Sequence, residues 1–273
     1  MDMSRFELAN SFHEEYIAIM LEYLIPKDIS VTHGEPDFDN RSYARSPEEA
    51  AGTHCESIFI AGDNSIKKHW LKVLPSISGV RRVFLHTTAI SETLMQAVCC
   101  HTGIERLNFS STRLESFDSI AKLSQLTHLA IGSSPRVSSL YPVSGLRNLV
   151  SLCIQGNLPK ISHLEELSPL HSLKGLILCG QDYKDLHLDS LEPISQLKEL
   201  SFFGLAATRV SSGGLRALCE LPNLEFLHLD AFHMNVWQLS DIAALNEAHP
   251  KLKGSLIRRV ATEPEVAKRL KVG

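Results

Sequence analysis

The sequence predicts an α/β solenoid, in which each of many short copies supplies one strand to a parallel sheet and returns through a helical or 3-10 segment. Three observations carry this prediction. The pattern apolar-x-x-apolar-x-apolar recurs along the chain, most clearly as Leu173, Leu176, Leu178 and as Leu197, Leu200, Phe202. Taking the last apolar residue of each copy as its anchor gives Ile60, Leu85, Phe109, Ile131, Ile154, Leu178, Phe202, Leu229 and Ile257, spaced 22 to 28 residues apart. The stretches between anchors are too short for anything but one return segment, and several are broken by proline. A repeat of this size cannot bury its apolar face alone, so copies must stack and share a continuous core.

On these stacked copies, over about residues 56 to 260, the chain resembles the leucine-rich repeat family. The resemblance implies a curved horseshoe with a parallel β-sheet on the concave face, mixed α and 3-10 segments on the convex face, and helical caps. It also implies protein recognition. The family places Asn or Cys just after the strand, where the side chain bonds the turn, and here Asn157 in Leu152-Cys-Ile-Gln-Gly-Asn is the clean match. Equivalent positions hold Asp63, Thr88, Thr112, Ser134, Gln181, Leu205 and Phe232. Leu205 and Phe232 offer no side-chain hydrogen bond, so the turns are expected to lose regularity toward the C-terminal end.

Residues 4 to 24 place Phe6, Ala9, Phe12, Tyr16, Ile19, Met20, Tyr23 and Leu24 near helical spacing, with Ser4 as cap, Glu7 three residues on, and Pro26 as stop. This helix is expected to close the open end of the first repeat. Residues 27 to 55 carry Gly34, Pro36, Pro47, Gly52 and the acidic run Glu35-Pro-Asp-Phe-Asp, and read as an irregular connection. Asp37 and Asp39 do not make a calcium loop, because Arg41 and Ser42 stand where that loop needs a carboxylate or amide and a glycine. Residues 65 to 74 and 91 to 100 read as helices with Ser65 and Ser91 as N-caps. The proline-punctuated stretch around Ile161 to Leu170 reads as 3-10 turns. Helices are expected again at 212 to 220 and 236 to 248, and a closing helix from Glu263 to Leu270. The resulting organisation is one continuous domain: a cap and loop over 1–55, about nine repeat strands over 56–260, and a capping segment over 261–273.

The chain has 273 residues and a formal charge of −4, with Lys and Arg scattered, which excludes a phosphate-neutralising basic stripe and makes nucleic acid an unexpected partner. Neither a leader pattern at Met1 to Phe12 nor a run of about 18 apolar residues is present, so no membrane contact is expected. Six cysteines lack C-x-x-C pairing, and Cys153 and Cys179 fall on adjacent strands two residues out of step, beyond disulfide reach. A reducing, cytoplasmic setting is the expectation.

Anchors point into the solenoid, so the residues alternating with them belong to the concave face. Arg82, Phe84, His86 and Arg106 make its first zone basic and aromatic, small and apolar residues including Ile177 follow, and Phe203, Phe226, His228 and Asp230 make the last zone aromatic and polar. These nine residues are the candidate contacts of a protein partner. No G-x-S-x-G, H-E-x-x-H, G-x-x-x-x-G-K-[ST] or G-x-G-x-x-G motif is present, and no cofactor or metal is expected. Cys99-Cys100 reads as a pair of buried, inert thiols, and Ser211-Ser-Gly-Gly as a simple cap and turn rather than a phosphate cradle. The expected function is noncatalytic protein binding through the concave face. A dedicated inhibitor, such as a bacterial toxin-immunity protein whose partner is an enzyme or toxin, stays open, as does an enzyme using His228 beside Asp230 as an acid-base pair.

Overall fold

In a computed structural model, residues 31–32, 35–36, 43–62, 64–87, 90–156, 158, 162–180, 186–206, 208–229 and 239–254 are described. The helix expected over 4–24, Asp230, Ile257 and the closing segment 261–273 lie outside them.

Nine parallel strands form one sheet, each pairing with the strand of the next copy. They are β3 (Tyr43–Ala44), β4 (Ser57–Gly62), β5 (Arg82–Thr87), β6 (Arg106–Ser111), β7 (His128–Ser133), β8 (Ser151–Gln155), β9 (Gly175–Cys179), β11 (Phe202–Ala206) and β13 (Phe226–Leu229). Before them, β1 (Val31–Thr32) and β2 (Glu35–Pro36) make an antiparallel pair. The sheet therefore starts ahead of Cys55: Tyr43 pairs with Ser57, and a short helix Pro47–Ala50 with a Ser46/Glu49 capping box follows. This part of the expected irregular connection is thus structured. Ser46 Oγ accepts from Glu49 N, and Glu49 Oε2 accepts from Ser46 N, which satisfies two helix-end donors at once.

The anchors define the core. Ile60, Leu85, Phe109, Ile131, Ile154 and Leu178 follow one another in register, and all are buried in one apolar cluster with the leucines of the return segments. At the next copy the expected frame is wrong. Leu205, not Phe202, pairs with Leu178 on one side and with Leu229 on the other. Two overlapping frames satisfy the pattern there, Leu197-x-x-Leu200-x-Phe202 and Leu200-x-x-Phe203-x-Leu205. The second aligns Phe203 with Leu176 and Leu227, continuing the leucine row. Because side chains alternate along a strand, this odd shift of three residues exchanges the faces of Phe202 and Phe203.

Return segments are helical in the first copies as expected, although the first helix starts at Asn64 and takes in Ser65 instead of being capped by it. Helices Asn64–Val73 and Glu92–Cys99 fill the outer side, the latter capped by Ser91 Oγ accepting from Leu94 N at 3.3 Å. The middle copies use 3-10 turns at Ile120–Lys122, Glu165–Leu167 and Glu192–Gln196. A helix runs over Leu239–Ala248. The helix expected at 212–220 shortens to a 3-10 turn, Arg216–Glu220. Gly213 and Gly214, at φ +80° and +56°, hold the left-handed region and delay its start, while Ser211 and Ser212 belong to β12 (Thr208–Ser212). That strand pairs in parallel with β10 (Leu186–Ser190), forming a second, two-stranded sheet beside the first. Among the described residues, no helix is long and apolar enough to cross a membrane.

Candidate functional site

Three rows of side chains alternate with the core anchors along the sheet, and register assigns them residue by residue. The row at the strand entrance reads Ser57, Arg82, Arg106, His128, Ser151, Gly175, Phe202, Phe226. The central row reads Phe59, Phe84, Asn108, Ala130, Cys153, Ile177, Gly204, His228. In the third row stand Ala61 and His86 on the first strands, with Gln155, Cys179 and Ala206 farther along.

Arg82, Phe84, His86 and Arg106 are brought together on β5 and β6. Arg82, Phe84 and Arg106 are half-buried, and His86 is exposed. Arg82 Nε donates to Ser57 Oγ at 2.7 Å and its guanidinium lies 3.9 Å from Glu56. Thus Ser57, fully buried at the strand entrance, orients the Arg82 fork across the face. His128 follows Arg106 in the row, and burial together with the Arg106 cation lowers its pKa from 6.5 to about 4. Its ring is therefore neutral near pH 7, and its Nδ1 lies 2.8 Å from the Thr127 hydroxyl.

The far zone differs from expectation. Phe203 lies in the core, with no exposed surface, and is not a contact residue. Phe202 takes its place on the concave side and stacks on Phe226, with centroids 5.1 Å apart and planes 10° from parallel. Gly204 lies beside the stack, where a Cβ would meet Ile177 Cγ1 at 3.4 Å and Phe202 Cε1 at 3.5 Å, ordinary van der Waals contact. Cys153, Ile177, Phe202 and Phe226 form a second apolar cluster, separate from the main core, with Ala130, Cys179 and Ala206 packed against it. Ile177 is completely buried, Phe226 is 7% exposed and His228 9%. Ile177 keeps its concave position but is the interior of this cluster rather than an open contact. The sequence signal that would have found Phe202 is the competing leucine frame.

The remaining candidates resolve on geometry. Cys153 pairs with Ile177 and Cys179 with Gln155, the two-residue offset that keeps the thiols apart, and neither forms a disulfide. Burial pushes the Cys153 and Cys99 thiols up to about 12, so both remain protonated. Cys100, expected to be buried beside Cys99, is exposed because it caps the helix end. The turn at Ser211–Gly214 does not cradle an anion: a Cβ on Gly214 would stand 2.0 Å from Asp241 Oδ2, so a carboxylate already fills that space, paired with Arg216 Nε at 3.1 Å. A cluster not foreseen joins Ser162, His163 and Asp189 across two copies. His163 Nδ1 lies 2.8 Å from Asp189 Oδ2, and Ser162 Oγ donates to that same oxygen at 3.0 Å. The hydroxyl's nearest partner is that carboxylate, with the two His163 ring nitrogens farther off at 3.4 and 3.5 Å.

No family model and no curated protein matches the sequence. Among solved structures, the chain is similar to an internalin C2 of Listeria monocytogenes, with 21% identity and a TM-score of 0.47, covering 67% of this chain and 73% of that one. A second internalin of the same organism shares 13% identity at a TM-score of 0.45, over 76% of this chain and 61% of the other. A leucine-rich repeat protein of Leptospira interrogans shares 18% at 0.48, over 74% and 46%. The chain therefore spans less than two thirds of two of these three. The fold rests on the molecule's own geometry: a leucine frame repeating every 22 to 27 residues from Ile60 to Leu229, one parallel strand per copy, and one continuous core. By that architecture the fold is a leucine-rich repeat solenoid.

Proposed function

We propose that this protein is a noncatalytic interaction module that binds another protein through the concave sheet face, at the end formed by β4, β5 and β6. The observation that carries the reading is the joint placement of Arg82, Phe84, His86 and Arg106 on two adjacent strands, half-buried or exposed, over a backbone fixed by the main core. Aromatic and arginine side chains held rigidly are the residue types that dominate interface energies. A solenoid face is extended rather than enclosed, which suits a folded protein or a long peptide better than a small molecule. The proposed setting is cytoplasmic, supported by six cysteines that form no disulfide, of which Cys100 is exposed.

The test is capture of partners from the native cell extract by the wild type and by Arg82→Ala/Phe84→Ala. A protein recovered by the wild type and lost by the variant, with unchanged circular dichroism, is the expected result. If that protein is an enzyme whose activity falls on binding, the module is a dedicated inhibitor, as a toxin-immunity protein would be. Equal recovery by both moves the binding site off this face.

A further inference from the structure

On the concave side of β8 to β13, side chains are buried more deeply than one sheet can bury them. The second apolar cluster is one layer deep, because its members and the residues packed against it all stand on strands of the sheet. A single layer of side chains on a sheet leaves its outer ends in water. Ile177 nevertheless has no exposed surface, Phe202 is 1% exposed and Cys153 6%. Sheet neighbours alone do not achieve this: Ile177 stands between Cys153 and Gly204 in its row, and two stacked rings show their outer edges. A second layer therefore lies on this side of the sheet. In keeping with it, Arg82, Arg106, Phe202 and Phe226 each take part in a further interaction beyond the contacts given above. The solenoid end that residues 4–24 were expected to close already carries β3 and the helix Pro47–Ala50, with Ala44 and Ala50 buried.

We infer that the chain's own N-terminal segment, residues 4–24, is this second layer: an intramolecular cover lying along the concave face over Cys153, Ile177 and Phe202. The segment lies outside the described residues, and its sequence matches the face in three ways. Phe12, Tyr16, Ile19 and Tyr23 recur at helical spacing and supply one apolar stripe for the apolar cluster. Glu7, Glu14, Glu15 and Glu22 against the single Arg5 make it acidic, opposite in sign to Arg82 and Arg106. A helix of its 21 residues is about 31 Å long, and the six strand spacings from β5 to β13 come to about 29 Å. Residues 255–273 match less well, being basic through Arg258, Arg259, Lys268, Arg269 and Lys271 and lacking any aromatic ring. Residues 230–238 must turn from Leu229 to the outer helix Leu239–Ala248, and Cys153 lies three strand spacings, about 14 Å, from β13. The cover does not rest on the face being a binding surface. If it is one, the cover is autoinhibitory, and a partner must displace it.

The experiment uses the full chain and its own cysteines. Cys153 lies under the proposed cover, and Cys99 lies in the main core as an internal control. Both are labelled with iodoacetamide and read by mass spectrometry, in the wild type and in Phe12→Ser/Tyr16→Ser. Labelling of Cys153 is expected to rise about tenfold or more in the variant while Cys99 stays at its wild-type rate. Unchanged labelling of Cys153 overturns the inference. Should the variant loosen the core, which faster Cys99 labelling would report, a cross-link decides: the full chain with p-benzoylphenylalanine in place of Tyr16 is irradiated and digested. Adducts on peptides that contain β8, β9 or β11 are expected. Adducts confined to the return segments, or to other copies of the chain, overturn the cover. Neither measurement reads partner capture, so the cover can fail while the binding face stands, and the reverse.

Discussion

Two neighbouring phenylalanines have opposite environments. Phe203 continues the leucine row of the core, and Phe202 stacks on Phe226 across the other side of the sheet. Truncating Phe203 to Ala should cost about 3–5 kcal/mol in urea unfolding, as for other fully buried aromatics. A double-mutant cycle reads the register directly. Phe202 and Phe226 should show a coupling of about 0.5–1.5 kcal/mol, whereas Phe203 and Phe226, on opposite faces, should be additive. Coupling at Phe203 instead would restore the frame that ends on Phe202. The corrected frame also repairs a turn: the position three beyond the anchor is Thr208 rather than Leu205. Thr208 Oγ1 lies 2.9 Å from Ala206 O and 3.2 Å from Leu178 O, just as Ser134 Oγ donates to Gly132 O at 2.9 Å three copies earlier. Thr208→Val should therefore cost about 1–2 kcal/mol by leaving buried carbonyls with fewer donors.

At the scale of elements, helix ends and turns decide what is reactive and what is strained. The helix Glu92–Cys99 buries Cys99, while its C-cap Cys100 faces solvent. With the Cys99 thiol pushed up to about 12 by desolvation, iodoacetamide should modify Cys100 in the native protein and leave Cys99 untouched until denaturant is added. Mass spectrometry of the native digest checks this, and early labelling of Cys99 would mean that the helix opens locally. At the start of the turn Arg216–Glu220, Gly214→Ala combines a left-handed backbone with a Cβ 2.0 Å from the Asp241 carboxylate. Thermal unfolding should show a loss of about 2 kcal/mol or more, since the strain alone is of order 1 kcal/mol and the carboxylate must also move.

For the whole molecule, stacked copies make stability a sum over interfaces between neighbours, so a charge forced into one row weakens its own copy and the interfaces on either side, and subtracts from the total. His128 binds its proton more weakly folded than unfolded, because burial and Arg106 disfavour the imidazolium. The unfolded chain then holds more protons between the unfolded value of 6.5 and the folded value of about 4. Stability should be complete above that window and fall as pH drops through it, and His101, lowered in the same direction by burial, adds to the trend. Melting temperatures taken across this range should decline toward acid, and His128→Gln should flatten part of the slope. An unchanged slope in the variant would remove His128 from the account.

Solenoid, period, parallel sheet and the order of its strands were legible in the sequence, because the leucine spacing records which side chains must leave water together and near neighbours in a stack are neighbours in the chain. The basic and aromatic cluster at Arg82, Phe84, His86 and Arg106 was legible for the same reason: alternation along a strand assigns faces once the frame is known. Where two frames fitted equally, at Leu197 to Leu205, local pattern could not choose, and the choice was made by pairing with Leu176 and Leu227 on the flanking strands. Tertiary structure alone also decided that Ile177 is covered rather than open, that Phe202 stacks on Phe226, and that Asp241 fills the glycine turn. Periodicity reports the direction in which a side chain leaves the backbone; burial and charge pairing depend on what the rest of the fold brings to meet it.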